Sequence, residues 1–326
     1  MRWSLPLKPV TGRSGTYQSP WHHGIVKLRT LVPVTAAVGA AAVGYVTVIE
    51  RNWFALRQYQ VPVLPPGTPS LRVLHISDTH LTPGRKRLMS WIRRLDDLDP
   101  HLVVNTGDSI SHPQAVEPLL DALGPLLDRP GAFVLGSNDM YAPEPHNPAR
   151  YLTGASSHWR RPKEPDLPWE KLRDDLTAAG WLDLNNNRGR LTAGGRDIAL
   201  GGVHDSHINR DRYELIAGRA DPSADLRIGV THSPEPRLLD QFEADGYDLL
   251  LAGHTHGGQL RLPFYGALVT NCGIERERVS GLHRHPVDGR TWLHISAGLG
   301  TSPWAPARFA CRPEASLLTL MSRDPG

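Results

Sequence analysis

From residue 71 onward, short apolar runs alternate with stretches of helical periodicity. Residues 71–77, LRVLHIS, are aliphatic and β-branched and stop at Asp78-Thr79-His80, which predicts a buried strand running into a loop. Over 86–98, Leu88, Met89, Trp91, Ile92, Leu95 and Leu98 recur every three or four positions with Arg and Asp between them, the pattern of an amphipathic helix. Residues 101–106 predict a second strand ending at Gly107-Asp108-Ser109. A helix follows Pro113 with Val116, Leu119, Leu120, Leu123 and Leu127 on one face, and 131–135 predict a third strand entering Gly136-Ser137-Asn138-Asp139. Such alternation specifies an α/β fold with a parallel or mixed sheet, whose working residues gather beyond the carboxyl ends of the strands.

The rhythm breaks at 141–167, a Pro-rich stretch carrying Arg160 and Arg161 with no sustained period. A loop of that length inside a compact domain is expected to be a cap over a site, with the two arginines as substrate contacts, or a surface excursion. A helix over 169–179 closes at Gly180, a C-cap. Strand signals return at 197–203, 225–230, 247–252 and 292–296, with helical turns at 212–217 and 236–242. The strand at Val230 runs into Thr231-His232. That at 249–252 opens LLLAGHTHGGQLRLP, where His254 and His256 follow an apolar run and Gly257-Gly258 are expected to turn sharply and leave room for a substrate.

The first seventy residues read differently. Residues 1–30 hold Arg2, Lys8, Arg13, Lys27 and Arg29 with no acid, and removing those five from the formal charge of +3 leaves about −2 for the rest of the 326-residue chain. The basic excess therefore belongs to a tail, and no nucleic-acid partner is expected. Residues 31–49 are uncharged, and at about 1.5 Å per residue they just cross a hydrocarbon core of about 30 Å. A basic leader before an apolar stretch predicts a single-pass anchor in the cell membrane, N-terminus cytoplasmic and the globular part outside. Cleavage near Ala40-Ala41-Ala42 is the alternative. Residues 50–70 read as a linker, leaving 71–326 as the domain. Cys272 and Cys311 are the only cysteines, and an oxidising compartment would allow them to pair.

Asp78, His80, Asp108, Asn138, His232, His254 and His256 each close an apolar run. Any one of them is equally an ordinary cap or turn residue. Together they repeat one arrangement of nitrogen and oxygen donors at successive strand ends, which points to metal. Seven donors exceed the four a tetrahedral zinc takes. Two divalent ions about 3.5 to 4 Å apart, bridged by one carboxylate and solvent, would use them all. Two carboxylates against two such cations leave a net positive site suited to a phosphate ester, and mixed N/O ligation admits Mn, Fe or Zn.

The ordered set Asp78-x-His80, Gly107-Asp108, Gly136-x-Asn138-Asp139, Thr231-His232 and Gly253-His254-x-His256 resembles the calcineurin-like metallophosphoesterases. GHTHGGQLRLP, SDTHL and the late GLGTS and CRPE segments are similar to their membrane-associated YkuE/YaeI-type branch. The resemblance implies a four-layer α/β/β/α sandwich. It also implies Asp78, His80 and His256 on one metal, Asn138, His232 and His254 on a second, Asp108 bridging, and a bridging water attacking phosphorus in line.

At the third motif the family usually reads Gly-Asn-His-Asp/Glu, its histidine stabilising the phosphoryl group or protonating the leaving group. Here Asp139 holds that position. A carboxylate acts as a general acid only when its pKa is raised, and cations push it down. Three alternatives follow: Asp139 or His207 of the HDSHIN segment is the catalytic acid, the leaving group needs little protonation, or turnover is slow. The expected activity is a metallophosphoesterase acting on a diester or pyrophosphate link of a phosphorylated small molecule, lipid or envelope precursor. A nuclease of the same family and a metal-binding protein without turnover are the competing readings.

Overall fold

The computed structural model describes residues 21–145, 164–287 and 289–323, and the chain divides into two units, Met1–Gly44 and Tyr45–Gly326. In the first, helix α1 covers Trp21–Gly44. The second unit begins with helical turns at Tyr45–Ile49 and Glu50–Asn52. Among the described residues one stretch, Pro33–Asn52, 20 residues with mean hydropathy 1.4, is long and apolar enough to cross a membrane.

The second unit contains, in chain order, β1 (Ala55–Leu64), β2 (Leu71–Ile76), α2 (Lys86–Arg93), β3 (Leu102–Asn105), α3 (Val116–Leu123), β4 (Gly131–Phe133), α4 (Ser137–Met140), α5 (Trp169–Ala178), β5 (Leu182–Asp183), β6 (Asn187–Ala193), β7 (Arg196–Val203), β8 (Leu226–Thr231), α6 (Pro236–Ala244), β9 (Leu249–Ala252), β10 (Arg261–Leu262), β11 (Gly266–Ala267), β12 (Gly281–His285), β13 (Thr291–Ile295) and β14 (Glu314–Ser322). Two six-stranded sheets result, ordered β1-β14-β2-β3-β4-β5 and β12-β13-β9-β8-β7-β6, with β10 and β11 as a separate hairpin. From β2 to β5 and from β13 to β7 neighbouring strands run parallel.

The period of two along each strand distributes its side chains between two cores. Leu74 and Ile76 of β2 face the core shared with α2, α3 and α5, whereas Leu71 and Val73 face the core between the sheets. On the other sheet Leu249 and Leu251 enter that central core, while Leu250 and Ala252 pack with Leu238, Leu239 and Phe242 of α6. Both sheets are thus covered on both faces, which is why their strands read as nearly continuous apolar runs. The order of layers is helix, sheet, sheet, helix, as the family resemblance implied.

One expectation needs correction, and the pairing the sequence left open is not formed. Residues 50–70 are more than a linker: β1 pairs in parallel with β14 from Ala55↔Glu314 to Leu64↔Ser322. It forms the sheet's edge, where polar positions and Pro62 are tolerated; Arg57, Gln58, Gln60 and Pro62 hid its periodicity. The cysteines are free thiols. Cys311 is directed at the carbonyl oxygens of His256 and Gly257, and Cys272 packs against the third core.

Leu64 is fully buried in the central core. Leu64→Ala is therefore expected to cost about 2 to 5 kcal/mol in urea unfolding of the full chain. A loss within about 0.5 kcal/mol, the behaviour of an exposed linker residue, would contradict the assignment of β1 to the sheet.

Candidate metal centre

The ends of β2, β3, β4, β8 and β9 converge at one edge of the two sheets. Asp78, His80, Asp108, His254 and His256 all adopt left-handed backbone conformations, with φ of 49°, 41°, 52°, 67° and 50°. Such values are uncommon outside glycine and persist where the surroundings fix them. The fixing bonds are visible: Asp78 N–H donates to Gly107 O at 2.9 Å, His80 N–H to Asp108 O at 2.9 Å, and Gly253 N–H to His232 O at 2.9 Å. A Cβ on Gly253 would lie 1.9 Å from Ser77 Oγ and 2.5 Å from Asp78 Oδ2, so only glycine lets this turn approach Asp78.

Side chains from the two sheets meet across the gap. Asp78, His80 and His256 form one buried group whose donor atoms lie within 4.8 Å of one another, and Asp78, Asp108 and His232 form another. Asp78 belongs to both groups, and Asp108 Oδ2, of the second, lies 3.5 Å from His232 Nε2 and equally 3.5 Å from His80 Nε2 of the first. Asn138 reaches the same oxygen with its side-chain amide at 2.7 Å, and its backbone N–H donates to Asp108 Oδ1 at 2.8 Å. His254 Nδ1 faces His232 Nε2 at 3.2 Å. All seven residues expected as ligands are brought together. Arg160 and Arg161 lie outside the described residues.

The donor set fits metal for a reason of proton counting. His80 Nε2 faces His256 Nε2 at 3.2 Å, as His254 faces His232, and two neutral imidazole nitrogens in such a contact can share one proton at most. Burial holds His80 down to about 4 and His254 down to about 3, and it drives His256 well below its ordinary value. Those three rings are neutral at pH 7, the ligating form. His232 is the exception: burial lowers its pKa, but Asp108 and Asp205 outweigh it and hold the ring well above its usual value. Asp108 lies correspondingly low, where His232, His80 and His254 overcome the cost of burial. Asp78 is pushed up to about 6, by burial first and then by Asp108, against the pull of His232.

Asp139 does not face this cluster. Its Oδ1 accepts from Ser109 N–H at 2.6 Å and Ile110 N–H at 3.1 Å, and its Oδ2 accepts from Gly136 N–H at 2.9 Å. Burial and the charge of Asp108 push its pKa up to about 7 against those donors, yet both oxygens are spent tying the β3 and β4 loops together. His207 is differently placed: half-buried, its ring lies 4.7 Å from the His254 ring, centroid to centroid.

Sequence reasoning passed over the residues that hold the candidate ligands. Ser77 Oγ donates to Asp78 Oδ2 and accepts from Thr106 Oγ1 at 2.7 Å. Thr106 Oγ1 in turn contacts His75 Nε2 at 2.9 Å. Asp205 accepts from Ser137 N–H at 2.8 Å through Oδ2 and from His207 N–H at 2.8 Å through Oδ1, bracing Asn138 and His207 together. Arg308 is fully buried and donates to the carbonyl oxygens of Ala297 at 2.8 Å, Gly300 at 2.6 Å and His256 at 3.3 Å. Nothing in their local pattern separates these from ordinary Ser, Thr, Asp and Arg. The Gly257-Gly258 pair does turn, with φ of 61° and 79°, and a Cβ there would run into Cys311 and Ala297 at Gly257 and into Ala267 at Gly258.

Comparison with known proteins agrees with this geometry. The chain is 26% identical over 302 residues to an uncharacterized metallophosphoesterase, YkuE, of Bacillus subtilis, covering 89% of this chain and 93% of that one. It is 25% identical over 310 residues to the phosphodiesterase YaeI of Escherichia coli, covering 91% and 100%. It is 26% identical over 309 residues to a transmembrane protein with metallophosphoesterase domain of Bos taurus, covering 91% of this chain and 62% of that one. The model of the calcineurin-like phosphoesterase family matches residues 71–258, which takes in β2 through the histidines after β9. The chain belongs to the calcineurin-like phosphoesterases, metal-dependent hydrolases of phosphate esters.

Proposed function

We propose that the protein is a membrane-anchored phosphodiesterase whose centre holds two divalent cations, Mn, Fe or Zn, and cleaves a diester or pyrophosphate link in a lipid or envelope-related substrate. The observation that carries the dinuclear reading is the position of Asp108, whose Oδ2 is equidistant, at 3.5 Å, from imidazoles of the two ligand groups. Asp78, His80 and His256 would hold one ion, and Asn138, His232 and His254 the other. When bound, such cations supply Lewis acidity toward a phosphoryl oxygen and activate water. The chain's own residues do the rest. Ser77 fixes the rotamer of Asp78. Thr106 O accepts from His232 Nδ1 at 2.7 Å, which leaves Nε2 free to ligate. His207, half-buried with its ring 4.7 Å from that of His254, is the residue we assign to pass a proton to the leaving oxygen. The phosphodiesterase relative supports a diester. The apolar stretch Pro33–Asn52, the five basic residues before it and the transmembrane relative support an anchor with its N-terminus in the cytoplasm and the catalytic unit outside.

Three outcomes test this reading. Hydrolysis of bis-p-nitrophenyl phosphate by the metal-loaded full chain is expected to fall at least about a hundredfold in His254→Ala, and undiminished turnover would remove the centre from the reaction. His207→Ala should lower kcat about 10²- to 10⁴-fold on an alkyl diester but far less on the p-nitrophenyl ester, whose leaving group needs no proton. In contrast, Asp139→Asn should lower Tm and leave the pH profile of kcat unchanged; the reverse assignment of effects would restore Asp139 as the acid.

Metal binding should also release protons. His232 has a raised pKa in the metal-free protein, so it carries a proton at pH 7 that ligation must displace. Affinity therefore rises with pH, by about tenfold per unit for each proton displaced. Calorimetry in buffers of different ionisation enthalpy reads the proton count, and zero release at pH 7 would contradict the role given to His232.

A further inference from the structure

The end of the apolar stretch is built into the catalytic unit through residues 308–312. Arg308 N–H donates to Val46 O at 2.9 Å, Cys311 N–H to Glu50 Oε1 at 2.7 Å, and Arg312 Nε–H to Trp53 O at 2.8 Å. Between these, Phe309 turns the other way: its N–H donates to Gln259 O at 3.0 Å, and its carbonyl accepts from Arg261 N–H at 2.9 Å. That ladder places the β10–β11 hairpin beside the end of the apolar stretch. Leu262, Phe264 and Tyr265 of the hairpin project into solvent, with Phe264 fully exposed at 112%, and Phe309 and Val48 are exposed with them. Water-facing aromatics in such a set need a partner.

Cations rim the same face. Arg276 stacks on the Tyr265 ring with its guanidinium 4.5 Å from the centroid, and Arg312 on Trp53 at 4.2 Å. A cavity of about 340 Å³ opens among Arg57, Arg261 and Arg312, with Glu314 as its one lining carboxylate, and Glu314 is already paired to Arg57 at 3.0 Å. Aromatic and aliphatic tips bordered by arginines suit a phospholipid leaflet, with rings at the acyl boundary and guanidinium groups at headgroup phosphates.

We infer that the β10–β11 hairpin and Phe309 form a second membrane contact, seated in a leaflet containing anionic phospholipid, with Arg261, Arg276 and Arg312 on the phosphates. A bilayer is the occupant because this face continues directly from the residues that end the apolar stretch. The inference goes beyond the anchor and does not depend on the metal centre. Its consequence is positional: the hairpin begins three residues after Gly258, so the face that meets lipid is one turn of chain from His256.

The test places a nitroxide at Phe264→Cys in the full chain, reconstituted in phosphatidylcholine vesicles with and without phosphatidylglycerol. Leu215→Cys, an exposed apolar position outside this face, is the reference, and the parent chain with only Cys272 and Cys311 gives the background label. Oxygen is expected to relax the label at 264 more than an aqueous nickel chelate does, with the order reversed at 215. In Arg261→Gln/Arg276→Gln the dependence on phosphatidylglycerol should be lost. Greater nickel access at 264 in both lipids would overturn the inference. Dipolar broadening between labels of two chains without oxygen enhancement would also overturn it, making the occupant a protein.

Discussion

The structure depends on holding two buried carboxylates, Asp78 and Asp108, with ligand oxygens within 4.8 Å of one another. Both are essentially unexposed, and like charges so buried are tolerated only with compensation. Four imidazoles and an amide from strand ends on both sheets provide it. With its pKa raised by Asp108 and Asp205, His232 balances the charge of Asp108, a role that a cation held at the same residues would take over. The left-handed backbones at five of the candidate ligand positions and the tight approach of Gly253 to Asp78 follow from the same requirement. Each loop must turn at the end of its strand to aim a donor inward.

The layered fold makes that convergence available. Parallel strands end on one edge of each sheet, and stacking the sheets through the core of Leu71, Val73, Leu102, Leu249 and Leu251 brings the two edges together. The first sheet gives Asp78, His80, Asp108 and Asn138; the second gives His232, His254 and His256. Neither sheet alone holds a complete set. Arg308 ties the segments together from behind, binding carbonyl oxygens on the His256 loop and on residues 297–300, so the C-terminal segment belongs to the centre without supplying a ligand.

The ligand strands were legible in the sequence because they are buried on both faces and end in polar motifs. Edge strands were not. β1 exposes Arg57, Gln58 and Gln60 and reads as tail, although its register with β14 is continuous over most of its length. The positions of Asp139 and His207 in space were equally invisible. Both are polar residues after strands, and only the three backbone donors around Asp139 and the ring of His254 beside His207 tell them apart. Motif spacing identifies donors, whereas the partners that orient them come from distant parts of the chain.

The most direct measurement of the central claim is an anomalous-scattering map of the protein crystallised with manganese. The account predicts two peaks about 3.5 to 4 Å apart, with Asp108 between them, Asp78, His80 and His256 around one, and Asn138, His232 and His254 around the other. A single peak, or density held by residues outside this set, would contradict it.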